Sequence, residues 1–218
     1  MISLFPNKPT DLPLTILCLG AHSDDIEIGC GGTILKLQEI YSLTSFYWVV
    51  LGADGHREAE ARKSACEMLA KATHSNVVLK NFRNSYFPYV GEQIKDYFEE
   101  IKRDVTPDII LTHYNEDRHQ DHRTVSELTW NTFRDHCILE YEVPKYDGDF
   151  GSPNMFVSLD EAIVRKKVDS ILSNFESQRG RQWFDRETFL SIMRLRGMES
   201  NAPSRYAEGF YCRKAVLC

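Results

Sequence analysis

The sequence predicts an α/β fold in which helices cover both faces of a mostly parallel sheet. Segments typical of strands and of helices alternate through about residue 136, which is the pattern of a parallel sheet. The predicted strands are short apolar runs, as expected for strands buried on both faces. The chain of 218 residues is long enough to bury a sizeable core, and its length favours one domain.

The first two thirds of the chain carry the regular part of this pattern. The strand predicted at 14–19 is an apolar run that ends at Gly20, and the one at 45–51 is rich in aromatic and β-branched residues. The other two predicted strands are 76–80 and 107–112. Helical spacing of apolar residues predicts helices at 34–40, 56–73, 91–104 and about 123–135.

The last third is less regular. Strands are predicted at 139–143 and 154–159, helices are predicted at 160–175 and 186–196, and the chain closes with 211–217. Residues 1–13 contain three prolines and are interpreted as an irregular N-terminal arm. We therefore expect a single domain over 1–218, with a Rossmann-like three-layer arrangement and an elaborated C-terminal third.

Composition excludes several classes of function. Lys and Arg total 26 against 32 Asp and Glu, so the formal charge of −6 disfavours nucleic acid as a partner. No run of 18 apolar residues predicts a membrane span, and the N-terminus lacks the pattern of a secretory signal. The six cysteines form no C-x-x-C pair and are interpreted as free thiols, which favours a cytoplasmic location.

Two short segments concentrate the unusual polar residues, and both directly follow predicted strands. Residues 21–25 (AHSDD) follow the first strand, and residues 113–122 (HYNEDRHQDH) follow the strand at 107–112. Ligands bind beyond the carboxyl ends of strands in an open parallel sheet. We therefore expect the two segments to converge at that edge.

Together these segments can build a metal site. His22 and Asp25 supply one imidazole and one carboxylate, and His122 supplies a second imidazole. Three nitrogen or oxygen ligands with an open fourth position are typical of catalytic zinc. Asp24 is free to act on a water at the metal. His119 could face the same cavity, with Asp121 accepting a hydrogen bond from it and holding it protonated and oriented.

Other interpretations of these residues remain open. Two aspartates after a strand can simply cap a helix, and His113 ends a strand and can merely pack. Residues 29–32 (GCGG) do not satisfy the dinucleotide pattern G-x-G-x-x-G, so tight packing at a strand-to-helix turn is the preferred interpretation. The basic run at 165–167 is interpreted as a solvated helix face.

These residues carry a resemblance to a known family. Residues 21–33 (AHSDDIEIGCGGT) resemble the first motif of the LmbE-like, or PIG-L, zinc-dependent N-deacetylases, and residues 119–122 (HQDH) resemble their second motif, H-x-D-H. Arg196-Gly197 and residues 206–210 (YAEGF) are similar to the closing segment of the family. The chain departs from the family pattern at Ser23, where proline is commonest, and at Asn84, where an aspartate often helps to hold the sugar.

The resemblance implies a role for each of seven residues. One Zn²⁺ per chain, with Fe²⁺ as an alternative, would be held by His22, Asp25 and His122. Asp24 would be the general base and would then deliver the proton to the leaving amine. His119 would stabilise the oxyanion, and Asp121 would support His119. Arg62 would approach the substrate.

The predicted function is removal of an N-acetyl group from an amino sugar or its conjugate, with release of acetate and a free amine. The alternatives are an amidase that acts on a larger conjugate, a metal phosphoesterase, and a non-catalytic sugar-binding protein on the same scaffold. The expected partner is a small N-acetylated sugar, and because family members often associate, a homo-oligomer is an open alternative.

Overall fold

A seven-stranded sheet forms the centre of the protein, whose structure is a computed structural model that describes residues 11–216. The strands are β1 (Leu14–His22), β2 (Thr44–Gly52), β3 (His74–Leu79), β4 (Ile109–His113), β5 (Cys137–Tyr141), β6 (Met155–Ser158) and β7 (Ala207–Cys212). The helices are α1 (Asp25–Ile40), α2 (His56–Met68), α3 (Gly91–Asp104), α4 (Gln120–Thr132), α5 (Glu161–Asn174) and α6 (Arg186–Glu199).

The sheet has the order β3-β2-β1-β4-β5-β7-β6 and is mostly parallel. Strands β1 to β5 pair in parallel, whereas β7 runs antiparallel to both of its neighbours, β5 and β6. Helices α1, α2 and α5 pack together on one face of the sheet, and α3 and α4 pack on the other. The predicted three-layer α/β fold is therefore confirmed.

Strand β1 shows why the apolar runs lack alternation. Its residues Ile16 and Cys18 belong to the apolar core on one face of the sheet, while Leu17 and Leu19 belong to the core on the other. A strand with helices on both faces buries every side chain, so a continuous apolar run is the pattern to expect. No helix within residues 11–216 is both long enough and apolar enough to cross a bilayer.

Two predicted elements need correction. Helix α1 begins at Asp25 rather than at residue 34, so the glycines at 29–32 lie inside the helix and not in a turn. Glycine is a poor helix former, but a Cβ on Gly29 would lie 2.1 Å from the ring of Tyr141, so close packing requires glycine there. The last strand is Ala207–Cys212 rather than 211–217, because β7 pairs with β5 and β6 over that range.

The rest of the pattern holds with shifted boundaries. Helix α2 ends at Met68 rather than at residue 73, and α4 begins at Gln120 and ends at Thr132. Within the predicted N-terminal arm, residues 1–10 lie outside the described part of the chain, as do residues 217 and 218 at the other end.

The sheet opens at the carboxyl ends of β1 and β4. Their pairing ends at Cys18 and Leu111, yet β1 continues beside β2 as far as His22. The strand order reverses at this gap. Strands β2 and β3 lie on one side of β1, and β4 and β5 lie on the other. Such a switch point is where open α/β sheets bind ligands.

Candidate metal centre

Three side chains meet at this gap from two turns of the chain. His22 is the last residue of β1, Asp25 is the first residue of α1, and His122 lies in the first turn of α4. Because β1 and β4 are neighbours, the turns that follow them face each other across the gap. The two polar segments singled out in the sequence are thus brought together as expected.

The ligand atoms of these residues form a small triangle. His22 Nδ1 lies 3.2 Å from His122 Nε2 and 3.3 Å from Asp25 Oδ2, and the third side, between His122 Nε2 and Asp25 Oδ2, measures 3.5 Å. All three side chains are buried. Ligands about 2.0–2.2 Å from a tetrahedral zinc ion lie roughly 3.3–3.5 Å apart, so the residues present fit such an ion.

Each histidine of the triangle is oriented by a carboxylate through its other ring nitrogen. Asp117 Oδ2 lies 2.9 Å from His122 Nδ1, and Asp121 Oδ2 lies 3.2 Å from His22 Nε2. Such partners set the tautomer and direction of a ligating imidazole. Sequence reasoning missed Asp117, although it lies within the polar segment 113–122.

Asp121 has a different partner from the one expected. Its carboxylate contacts His22 rather than His119, and it also accepts hydrogen bonds from Ser85 N at 2.6 Å and Phe87 N at 3.1 Å. These two amides come from the loop after β3, which sequence spacing could not place. These two amides thus hold the carboxylate of Asp121 with its Oδ2 directed at His22 on β1.

A second group of potential ligands, Asp25, His113 and His122, lies at the same place. His113 Nε2 is 3.2 Å from Asp25 Oδ2, but this nitrogen already accepts a hydrogen bond from Ala21 N at 2.9 Å. A lone pair that accepts an N–H is not free to bind a metal ion. His113 therefore supports the end of β1 where β4 turns away, which is the packing role left open above.

The charges at the triangle favour a cation. Burial opposes protonation of His22, but Asp25 and Asp121 outweigh it and raise the pKa of His22 to about 10. Burial and the neighbouring His113 lower the pKa of His122 to about 3, so His122 is the neutral imidazole that metal binding requires. Burial acts to raise the pKa of Asp25, yet the surrounding histidines hold it well below its ordinary value.

Asp24 occupies the N-cap position of α1, but its side chain makes no capping hydrogen bond. It is buried, and its Oδ1 accepts a hydrogen bond from the Arg57 guanidinium at 2.9 Å. Burial raises the pKa of Asp24, and the charge of Arg57 opposes that rise. Asp24 is therefore a buried carboxylate, adjacent in sequence to Asp25, that pairs with Arg57 and does not cap the helix.

The arginine that reaches the site is Arg57 and not the predicted Arg62. Arg57 lies in the first turn of α2, at the carboxyl end of β2, whereas Arg62 lies more than a turn further along. The side chain of Arg62 is 52% exposed and pairs with Glu58 at 3.1 Å. The start of a helix after a strand was the feature that could have identified Arg57.

His119 completes the group as the N-cap residue of α4. Its Nδ1 accepts a hydrogen bond from Asp121 N at 3.2 Å, so Nε2 carries the proton of the neutral ring. The ring centroid lies 4.8 Å from that of His22 and 4.7 Å from that of His122. Burial and the charge of His22 lower the pKa of His119, which favours the neutral form of the ring.

The sequence and the α/β fold place this chain among deacetylases. Residues 17–133, more than half of the chain, match the PIG-L family, described as GlcNAc-PI de-N-acetylase. The chain also shares 30% identity over 170 residues with YaiS of Escherichia coli strain K12, an uncharacterized deacetylase, covering 72% of this chain and 88% of YaiS. The chain belongs to the PIG-L family.

Solved structures share the fold at lower sequence identity. The conserved protein TT1542 of Thermus thermophilus superposes with a TM-score of 0.73 at 20% identity, covering 94% of this chain and 97% of that one. The N,N'-diacetylchitobiose deacetylase of Pyrococcus horikoshii gives 0.69 at 21% identity, covering 91% and 83%. GalB of Pseudomonas putida KT2440, a 4-carboxy-2-hydroxymuconate hydratase, gives 0.68 at 16%, covering 94% and 98%. The fold alone therefore does not decide the reaction.

Proposed function

We propose that this protein is a metal-dependent hydrolase that removes the N-acetyl group from an amino sugar or its conjugate, releasing acetate and a free amine. The observation that carries the proposal is the triangle of His22 Nδ1, Asp25 Oδ2 and His122 Nε2, with sides of 3.2 to 3.5 Å. Asp24 beside it supplies a carboxylate for proton transfer. Membership of a deacetylase family supports the choice of reaction.

The metal in this proposal is one Zn²⁺ per chain, with Fe²⁺ as the alternative. The two imidazoles and one carboxylate match the nitrogen and oxygen ligands of catalytic zinc sites. An ion bound there would lower the pKa of a water molecule and would polarise the amide carbonyl. Asp117 and Asp121 hold the two imidazoles in the orientation that binding requires.

Asp24 is the general base in this proposal. Arg57 engages Oδ1 of Asp24, which leaves Oδ2 to accept a proton from the attacking water. Because burial raises the pKa of Asp24, the carboxyl can hold that proton and then pass it to the departing nitrogen. The transfer is necessary because an amide anion is too basic to leave.

His119 stabilises the oxyanion in this proposal. The backbone amide of Asp121 fixes the tautomer that has its proton on Nε2, and this N–H is free to donate to the developing oxygen. Asp121 therefore acts on His119 through its main chain and on His22 through its carboxylate. A neutral donor suffices here, so the ring need not be charged.

The proposed substrate is a small N-acetylated sugar rather than a nucleic acid. The family description and the diacetylchitobiose deacetylase support an N-acetylated amino sugar, and the net charge of −6 argues against nucleic acid. We place the enzyme in a reducing cytoplasm, since all five cysteines within residues 11–216 are unpaired. We treat residues 1–218 as a single domain, and a homo-oligomer remains an alternative.

The test combines metal analysis with product analysis. Purified protein is assayed for zinc and iron, and acetate release is measured across N-acetylated sugars and sugar nucleotides. We expect about one zinc per chain and release of equal amounts of acetate and amine. Release of a larger acid would identify an amidase, turnover of phosphate esters a phosphoesterase, and sugar binding without turnover a binding protein. Any of these three results refutes the proposed deacetylase activity.

A further inference from the structure

A buried ion pair lies behind α1, away from the triangle. Lys167 on α5 and Glu208 on β7 approach to 2.6 Å, and their side chains are only 2% and 3% exposed. This corrects the interpretation of the basic run at 165–167 as a solvated face, because Lys167 points inward. Both residues lie beyond residue 133, where the match to the family ends.

The pair binds the main chain in the middle of α1. Glu208 Oε1 accepts a hydrogen bond from Gly32 N at 2.8 Å, and Oε2 accepts from Thr33 N at 2.7 Å and Thr33 Oγ1 at 2.6 Å. Lys167 Nζ donates to Ile28 O at 2.7 Å. We call Lys167 and Glu208, with these three residues of the helix, the α1 clamp.

The contacted groups are unusual for the interior of a helix. In an α-helix the N–H of residue 32 faces the C=O of residue 28 and bonds to it. In α1 these same two groups bind side chains from β7 and α5. The position of this part of the helix therefore depends on two other elements and not only on its own hydrogen bonds.

The close approach of Glu208 to α1 also explains why residue 32 is a glycine. A Cβ on Gly32 would lie 2.8 Å from Glu208 Oε1 and 2.5 Å from Leu159 Cδ1. Any larger residue would push the Glu208 carboxylate away from the helix. The glycine-rich motif and the closing segment of the chain thus form one structural unit, although 175 residues separate Thr33 from Glu208.

We propose that Lys167 and Glu208 are positioning residues that set the place of α1 and hence of Asp25 in the triangle. Asp25 lies on the same helix, within one turn of Ile28. Its Oδ2 must meet two imidazole nitrogens at 3.3 and 3.5 Å, and metal sites tolerate displacements of only about 0.5 Å. The inference rests on the proposed function, since it takes Asp25 as a metal ligand.

The experiment separates positioning from simple stability. Removing one member, as in Lys167→Met, leaves a buried charge and lowers the melting temperature by roughly 10 °C. Replacing both, as Lys167→Met with Glu208→Leu, removes the two buried charges together, so the melting temperature recovers. The readout is Zn²⁺ affinity, measured by competition with a chromophoric chelator.

The matched control is another buried ion pair, Arg196 and Glu142, changed to Arg196→Met with Glu142→Leu. Its closest contact is 2.8 Å, and its hydrogen bonds go to residues outside α1. For the clamp double variant we expect Zn²⁺ affinity to fall by about 10- to 100-fold, the usual effect of losing support for a ligand. Arg196 and Glu142 line the same small cavity as the clamp, but their hydrogen bonds go to elements other than α1, so for the control we expect a change of less than about twofold.

The remaining outcomes of the experiment also decide the inference. A folded clamp double variant with Zn²⁺ affinity like that of the wild type overturns it. If that variant does not fold, Thr33→Val takes its place, with about threefold weaker Zn²⁺ binding as support and no change as refutation. A wild-type chain that binds no Zn²⁺, or binds it equally after His22→Ala, refutes the proposed function, and the clamp inference falls with it.

Discussion

Two regions of this molecule bury ionisable side chains, and they arrange them in opposite ways. In the C-terminal third, Arg196 donates two hydrogen bonds to Glu142, at 2.9 and 2.8 Å, so each charge has its partner. At the gap between β1 and β4, His22, Asp25 and His122 instead bring three ligand atoms within 3.5 Å of one another. The first arrangement is complete as a pair, whereas the second has the geometry of a metal site.

The comparison teaches how to tell a structural ion pair from a metal site. In the pair, oppositely charged groups face each other and leave no unused ligand atom. At the candidate metal centre, each imidazole contacts its own carboxylate, Asp117 or Asp121, and directs its other nitrogen at the shared triangle. The predictions below test whether this difference in geometry is also a difference in function.

The largest effect is expected from His22→Ala. Loss of one of three ligands should reduce bound zinc from about one per chain to almost none and lower activity by at least about 10⁴-fold. Inductively coupled plasma mass spectrometry and acetate release measure the two quantities. His136→Ala, which removes a histidine outside the site, is the control and should retain both. Full zinc occupancy in His22→Ala would show that the triangle is not the metal site.

The next largest effect is expected from Asp24→Asn. The amide keeps an oxygen for Arg57 but cannot take a proton, so kcat should fall by about 10³-fold while zinc content is unchanged. Steady-state kinetics on protein of known metal content measures this. Normal turnover with zinc present would remove Asp24 from the role of base and leave the metal site intact.

Arg196→Met should affect stability and not metal binding. It leaves Glu142 buried without its partner, so the free energy of unfolding should fall by about 3–5 kcal/mol. Urea denaturation followed by circular dichroism measures the loss, and zinc affinity is measured in parallel. If Arg196→Met weakens zinc binding as much as it weakens folding, the two regions are not independent and the comparison fails.

The smallest effect is expected on kcat/KM, when the two arginines Arg57 and Arg62 of α2 are each replaced. Arg57→Ala removes the hydrogen bond to Asp24 and should lower kcat/KM by about 10- to 100-fold, the range for one bond between charged groups. Arg62→Ala should change it by less than about twofold, because Arg62 pairs with Glu58 on an exposed surface. The reverse order of effects would restore the role that the family resemblance implied for Arg62.

Much of the architecture follows from the chain alone. The alternation of strands and helices predicted the three-layer fold, because a parallel sheet buries both faces of its strands and leaves continuous apolar runs. The positions of residues 21–25 and 113–122 after two such strands predicted that they would meet, because parallel strands end at one edge. The roles assigned to His22, Asp25, His122, Asp24 and His119 stay predictions until metal and product are measured.

Contacts between distant elements were decided only by the tertiary structure. The pairing of Asp121 with His22, the approach of Arg57 to Asp24 and the inward turn of Lys167 each join residues at least 33 positions apart. Sequence spacing gives the face of a helix or strand on which a side chain lies, but not which side chain from another element comes within hydrogen-bond distance. That choice depends on packing distances of a few tenths of an ångström, which arise only once all layers are assembled.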